Sequence, residues 1–153
     1  MGFKDWETPP DFFKALDEEF HFTLDAAASH ENALCKFYCT REGMFSKDIS
    51  GDTYSTQSYG GDGLTLPWKG HRVFCNPPYD SSIYRWVEKA ANREAEVAVL
   101  LLPPSVDTRW FHKFIWPDKA NEIQFLQGRL KFWKDGKIGP APRAGNLLAI
   151  FRQ

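Results

Sequence analysis

No stretch of this 153-residue chain approaches the ~18 consecutive apolar residues that span a bilayer. Its first residues, Met1-Gly2-Phe3-Lys4-Asp5, do not read as a signal peptide. Cysteine is scarce. Cys35, Cys39 and Cys75 form an odd set with neither a disulfide pattern nor a second pair of zinc ligands. The four histidines (21, 30, 71 and 112) are scattered, so no metal site is expected. These absences point to a reducing cytoplasm and to no membrane partner. Net charge is also nearly absent, at −1. No internal repeat or disordered tail is present. What remains reads as one globular domain over residues 1–153, monomeric, with hydrophobic residues at 42%.

The small net charge hides a split. Residues 1–63 carry 5 Lys and Arg against 12 Asp and Glu, residues 64–108 carry 5 against 5, and residues 109–153 carry 9 against 3. A basic final third is the kind of surface that meets phosphate. An acidic first third favours a cationic ligand more weakly. Aromatic residues are plentiful, at 16%. Most suit a Phe-rich core, and some are available to stack on a ligand.

Thr8 reads as the N-cap of a helix with proline in its first turn, and Phe12, Phe13, Leu16 and Phe20 follow at helical spacing. Residues 22–25 read as a short strand ending in a carboxylate, and 36–39 as a second strand. Residues 41–63 are rich in Gly, Ser, Thr and Asp and read as a loop insertion. A buried strand at 73–75 precedes a helix at 81–93, capped by Ser81 or Ser82. The apolar run 97–102 suits a central parallel strand stopped by Pro103-Pro104. A helix at 107–115 and strands at 123–126 and 147–151 complete the chain, with a loop at 134–146 between the last two. The alternation predicts an α/β class with a mostly parallel sheet, helices on both faces and an antiparallel C-terminal strand pair.

One tetrapeptide stands out: Asn76-Pro77-Pro78-Tyr79, directly after the strand at 73–75. Two consecutive prolines exclude a helix or a central strand, so the three residues after Asn76 form a stiff loop at the strand's carboxyl end. In open α/β sheets that edge binds ligands. The loop offers an amide, a rigidly held carbonyl and an aromatic ring, a set suited to a nucleobase. An exocyclic amine of adenine or cytosine is a poor nucleophile because its lone pair is delocalised into the ring. Acceptors aimed at its two N–H bonds, here the Asn76 side chain and the Pro77 carbonyl, draw the nitrogen toward sp3 geometry and stabilise the growing charge. Pro78 would stiffen the carbonyl. Tyr79 would stack on the base, a contact worth ~1–3 kcal/mol. A base reaches such a pocket only by leaving its stack. A rigid turn without a ligand uses the same residues; the strand before and the helix after favour the chemical reading.

With these residues the chain resembles the S-adenosylmethionine-dependent amino-methyltransferases. More closely, it looks like the compact phage N6-adenine DNA methyltransferase (Dam-type) family, over nearly its whole length. Trp6-Glu7-Thr8-Pro9-Pro10 is similar to a segment that packs on the cofactor's methionine end, so Trp6, Thr8 and Pro9 are implied cofactor contacts. Leu24-Asp25-Ala26-Ala27-Ala28-Ser29 occupies the place of the first cofactor motif, implying contacts from Asp25, Ala26 and Ala27. Asp62-Gly63-Leu64, followed by Trp68, sits where an acidic residue meets the cofactor's adenine amine. Asn76, Pro77, Pro78 and Tyr79 match the catalytic tetrapeptide, with Asn76 also beside the cofactor. Gly128-Arg129-Leu130-Lys131-Phe132 is similar to the late loop whose ring supports the target base. Arg129, Lys131, Lys134, Lys137 and Arg143 are implied DNA contacts, with Phe132 and Tyr79 on the base.

The resemblance implies a Rossmann-like methyltransferase fold, S-adenosylmethionine as cofactor, DNA as partner and, for a phage-encoded chain, the host bacterial cytoplasm. The wider superfamily's Phe-x-Gly-x-Gly loop is absent, with Ala26 to Ser29 in its place. There is no room for a separate target-recognition domain, so sequence choice either comes from loops such as 41–63 and 133–146 or is weak. Methylation of a protein glutamine amide, of RNA adenine or of N4 of cytosine remains an alternative, as does a non-catalytic DNA-binding accessory domain.

Overall fold

The computed structural model describes residues 6–56, 60–140 and 142–153. Residues 1–5, read above as no signal peptide, lie outside the described residues, as do 57–59 and 141 within the two expected loops.

Helix α1 (Pro10–Phe20) buries Phe13, Leu16 and Phe20, which its periodicity places on one face. Strands β1 (Leu24–Asp25), β2 (Phe37–Cys39), β5 (Arg72–Cys75) and β6 (Val97–Leu102) form the parallel centre of an eight-stranded sheet. On one side β3 (Met44–Lys47) and β4 (Thr53–Ser55) extend it antiparallel. On the other, β10 (Leu147–Arg152) lies antiparallel between β6 and β7 (Glu122–Phe125). The order is β4-β3-β2-β1-β5-β6-β10-β7. A separate hairpin pairs β8 (Trp133–Lys134) with β9 (Lys137–Ile138). The molecule is a mixed α/β fold, and its late strands are antiparallel neighbours as expected.

Every residue of β6 is buried, and alternation divides them between two cores. Val97, Val99 and Leu101 join Phe13, Leu16 and Phe20 of α1. Ala98, Leu100 and Leu102 join Ile83, Trp86, Val87 and Ala90 of helix α2 (Ile83–Ala91), with Phe111 and Ile115 of α3 (Phe111–Ile115). Helices therefore cover both faces, and the carboxyl ends of the central strands stay open.

Local details correct the sequence expectations. The N-cap of α1 is Pro9, not Thr8, and no side chain caps the helix. Thr8 is buried instead, and its Oγ1 accepts a hydrogen bond from Asn76 Nδ2 at 3.2 Å. Ser82 is the N-cap residue of α2 but makes no side-chain capping bond. Asp80 Oδ1 instead accepts from the Ser82 backbone N–H (2.8 Å) and hydroxyl (2.6 Å). The helix expected at 107–115 ends at Ile115 as expected but starts later, and α3 winds as a π-helix. The segment expected as a loop at 41–63 contains β3 and β4. Their turn is held by Asp48 Oδ1, which accepts from the Ser50 and Asp52 N–H groups, each at 2.9 Å. All three residues of β4 are exposed, so no apolar alternation marked the strand. The loop expected at 134–146 begins with the β8–β9 hairpin. Asp135 (φ 53°) and Gly136 (φ 76°) both adopt the positive φ of a two-residue hairpin turn.

Gly63 shows why a glycine stands beside the end of β1. A Cβ there would lie 2.0 Å from the Ala26 carbonyl oxygen and 2.9 Å from the Trp86 ring. The Gly63 carbonyl also accepts from Trp68 Nε1 at 2.9 Å, which holds the segment in place. Neither neighbour is the end of a flexible chain, so Gly63→Ala is expected to destabilise the fold by about 3 kcal/mol in a urea titration. A loss below about 0.5 kcal/mol would contradict this packing.

Candidate active site

In-register pairing of β1 with β5 sets Leu24 opposite Val73 and Asp25 opposite Phe74. The Ala26 N–H then bonds the Phe74 carbonyl at 3.0 Å. The carboxylate that ends β1 and the amide that follows β5 are thereby brought to one edge. Trp6, Glu7, Thr8, Asp25, Ala27, Asn32, Leu34 and Asn76 line a narrow cleft there. Four of the expected cofactor contacts, Trp6, Thr8, Asp25 and Ala27, meet Asn76 in it. Glu7, Thr8, Asn32 and Leu34 also line an adjoining cavity of ≈ 700 Å³, whose wall includes Ser29, Glu31, Trp133, Asp135 and Gly136.

Sequence reasoning missed most of that wall. It is built by an isolated bridge between Glu7 and Trp133. Their backbones exchange hydrogen bonds of 2.8 and 2.9 Å, and the Gly136 N–H donates to Glu7 Oε1 at 3.0 Å. The available signal was Asp135-Gly136, a dipeptide strongly favoured in hairpin turns.

Other expected contacts lie elsewhere. Pro9 starts α1, and its carbonyl accepts from the Phe13 N–H at 3.1 Å. Ala26 is fully buried in the core against Gly63. Asp62 is half-buried and folds a turn, its Oδ1 accepting from the Leu64 N–H at 3.0 Å. None of the three lines the cleft.

A second cavity, ≈ 530 Å³, is lined by Trp6, Tyr79, Pro103, Phe132, Pro140, Pro142, Arg143, Ala144, Gly145 and Asn146. Trp6 thus borders both the cleft and this pocket. The two differ in character. Asp25, Glu7, Glu31 and Asp135 surround the first region. The second is aromatic and proline-rich, and its one charged lining residue is Arg143. Arg129, Lys131, Lys134, Lys137 and Arg143 are all exposed. Lys134 Nζ sits 5.9 Å from the Trp6 ring centroid, and Arg129 Nη1 donates to the Pro142 carbonyl at 3.4 Å. Of the five, only Arg143 lines the pocket.

The tetrapeptide joins the regions, with Asn76 in the acidic cleft and Tyr79 in the aromatic pocket. Pro77 and Pro78 are buried. The Tyr79 hydroxyl donates to the Leu101 carbonyl at 3.0 Å and accepts from Asn146 Nδ2 at 3.1 Å. Burial drives its pKa far above the ordinary value, so it stays protonated.

Asp25 is buried, and desolvation pushes its carboxyl from the ordinary 3.8 up to about 6. Hydrogen bonds from the Leu34 and Ala27 backbone N–H groups and the charge of Lys47 act in the opposite direction. The thiols of Cys35, Cys39 and Cys75 are free and buried. Desolvation raises all three, with the Asp25 charge adding to it, and Cys39 reaches about 12. They are inert thiols rather than nucleophiles. Among the described residues no group of three or more His, Cys, Asp or Glu is placed to hold a metal ion, and no helix is long and apolar enough to cross a membrane.

The raised Asp25 value has a definite sign. Between about pH 4 and pH 6 the folded state binds the proton more tightly than the unfolded chain, so stability falls as pH rises through that window. A shift from 3.8 to about 6 corresponds to about 3 kcal/mol. The stability difference between Asp25→Asn and the parent is therefore expected to move by about 3 kcal/mol in favour of the variant from pH 3.5 to pH 7. Urea titrations at the two pH values measure it, and a pH-independent difference would contradict the burial argument.

A family model described as DNA N-6-adenine-methyltransferase (Dam) matches residues 3–153. No curated protein matches the chain.

Proposed function

We propose that this chain, which belongs to the DNA N-6-adenine-methyltransferase (Dam) family and methylates N6 of adenine in DNA, holds S-adenosylmethionine in the ≈ 700 Å³ cavity, with its charged end reaching into the adjoining acidic cleft, and the target adenine in the aromatic pocket. Methyltransferases of this kind generally use that cofactor. The family match favours adenine in DNA over the glutamine, RNA, cytosine and accessory-domain alternatives. A Rossmann-like methyltransferase architecture fits the parallel centre and the strand order.

The observation that carries the site assignment is the meeting of two unlike cavities at one tetrapeptide. S-adenosylmethionine bears positive charge on its sulfonium and amine, and the cleft offers a buried carboxylate at Asp25 with Glu7 beside it. Trp6, Thr8 and Ala27 would form the remaining walls. Bound there, the cofactor supplies an electrophilic methyl group. A flipped adenine has a flat apolar face and suits the Trp6, Tyr79 and Phe132 surfaces.

The chain's own residues then act on the amine. Asn76 gives Nδ2 to Thr8 Oγ1, which leaves its Oδ1 available as an acceptor. That oxygen and the Pro77 carbonyl would accept the two N–H bonds of N6, localise its lone pair and offset the charge that develops. Pro78 stiffens the carbonyl, and Tyr79 stacks on the ring. The methylated amine is a strong acid, so it gives its proton to water without a dedicated base. Arg129, Lys131, Lys134, Lys137 and Arg143 would contact phosphates around the pocket mouth.

Transfer of labelled methyl to duplexes with and without adenine tests the activity. Label is expected only in the adenine-containing duplex. In the same assay Asn76→Ala is expected to lower kcat by about 10²–10³, with cofactor affinity held within severalfold. Lost cofactor binding with normal turnover at saturation would remove Asn76 from the amine.

DNA affinity is expected to fall with salt at a log–log slope of about −0.9 per phosphate neutralised. Replacing Lys134 and Lys137 together by Gln should make that slope shallower. A slope unchanged by the substitution would take the hairpin off the DNA.

A further inference from the structure

Buried polar side chains are few and concentrated. Among the described residues, the buried polar or charged ones are Thr8, Asp25, Thr40 and Asn146. Thr8 and Asp25 line the acidic cleft, and Asn146 lines the aromatic pocket. The sequence reading passed over Asn146. It lies immediately before β10, whose first five residues are buried and apolar.

The Asn146 amide is fully committed on one side. Nδ2 donates to the Tyr79 hydroxyl at 3.1 Å and to the Leu102 carbonyl at 3.2 Å. A carbonyl can only accept, so the nitrogen must face Leu102 and the orientation of the amide is determined. Oδ1 is left buried without a hydrogen-bond partner, the one such side-chain atom among the described residues. An unfilled buried acceptor costs stability. An apolar side chain there would avoid that cost, so packing alone does not account for an amide. What the amide does achieve is a fixed Tyr79. The phenol is held at two points, by Asn146 and by the Leu101 carbonyl, and both of its hydroxyl contacts tie it to the β6–β10 edge.

We infer that Asn146 is a positioning residue for methyl transfer, holding the Tyr79 ring in place as the stacking wall for the target base. The inference rests on the proposed stacking role of Tyr79. Ring plane and depth decide how the base lies, and small misplacements of a reacting group lower turnover steeply. A residue acting this way affects the chemical step through Tyr79 and leaves the cofactor cleft untouched.

A double-mutant cycle tests it. Asn146→Leu is expected to lower kcat by about tenfold, Tyr79→Phe, which also loses the Leu101 bond, by at least as much, and the double variant by no more than Tyr79→Phe alone. Cofactor affinity by calorimetry should stay within twofold in all three. Asn146→Ser, too short to reach the hydroxyl, is read in the same way where Asn146→Leu fails to fold. Multiplicative losses, a Tyr79→Phe enzyme as fast as the parent, or an effect confined to Tm would overturn the inference. Tyr79→Ala separates the two readings. Undiminished turnover there removes stacking and positioning together, whereas a large loss without coupling to Asn146 removes positioning alone.

Discussion

The parallel pairing of β1 between β2 and β5 is the constraint on which the rest of the molecule hangs. β1 has only two residues, yet Leu24 faces Phe37 and Val73 while Asp25 faces Tyr38 and Phe74. A slip of one residue would exchange the faces of Leu24 and Asp25 and put the carboxylate into the apolar cluster that Leu24 now fills. In the observed register Leu24 is fully buried, and Asp25 leaves the sheet edge beside the residues that follow β5. Packing of Leu24 into the core beneath α2 holds that register. The Ala26 and Ala28 N–H groups prolong it beyond the strand, with bonds of 3.0 and 2.9 Å to Phe74 and Cys39.

From this edge the molecule builds two cavities of opposite character that share Trp6. Separating them takes one side chain, Trp6, and joining them takes one loop, residues 76–79. The arrangement suits a reaction between a cationic donor and a base carried on a polyanion. It also concentrates energetic cost beside these two cavities. Asp25 sits desolvated, with only backbone donors and the charge of Lys47 to offset its burial, and Asn146 keeps an acceptor unfilled. Departures from good packing and full hydrogen bonding of this sort tend to gather at functional sites.

Much of the centre was readable from local pattern. The run at 97–102 announced a strand buried on both faces, and the spacing of Phe13, Leu16 and Phe20 announced the buried face of α1. Asn76-Pro77-Pro78-Tyr79 declared a stiff loop after a strand. The outer parts were harder to read. β4 is exposed throughout, so burial left no mark on it. The turn that forms the β8–β9 hairpin was visible in Asp135-Gly136, but a Lys-, Gly- and Pro-rich neighbourhood masked it. Thr8 looked like a cap because its spacing to α1 was right. Its hydroxyl instead meets Asn76, a residue 68 positions away.

Side-chain type and spacing within a few residues were enough to give the α/β class, the central strands, the stiff loop at residues 76–79 and the chemistry that such groups can do. The packed fold alone brings Glu7 and Trp133 together to close one cavity, sets Trp6 between two, and lets Asn146 grip Tyr79. The first and last of these contacts join residues separated by 126 and 67 positions. Their geometry depends on how sheet, helices and hairpin pack as a whole, and no local pattern encodes it.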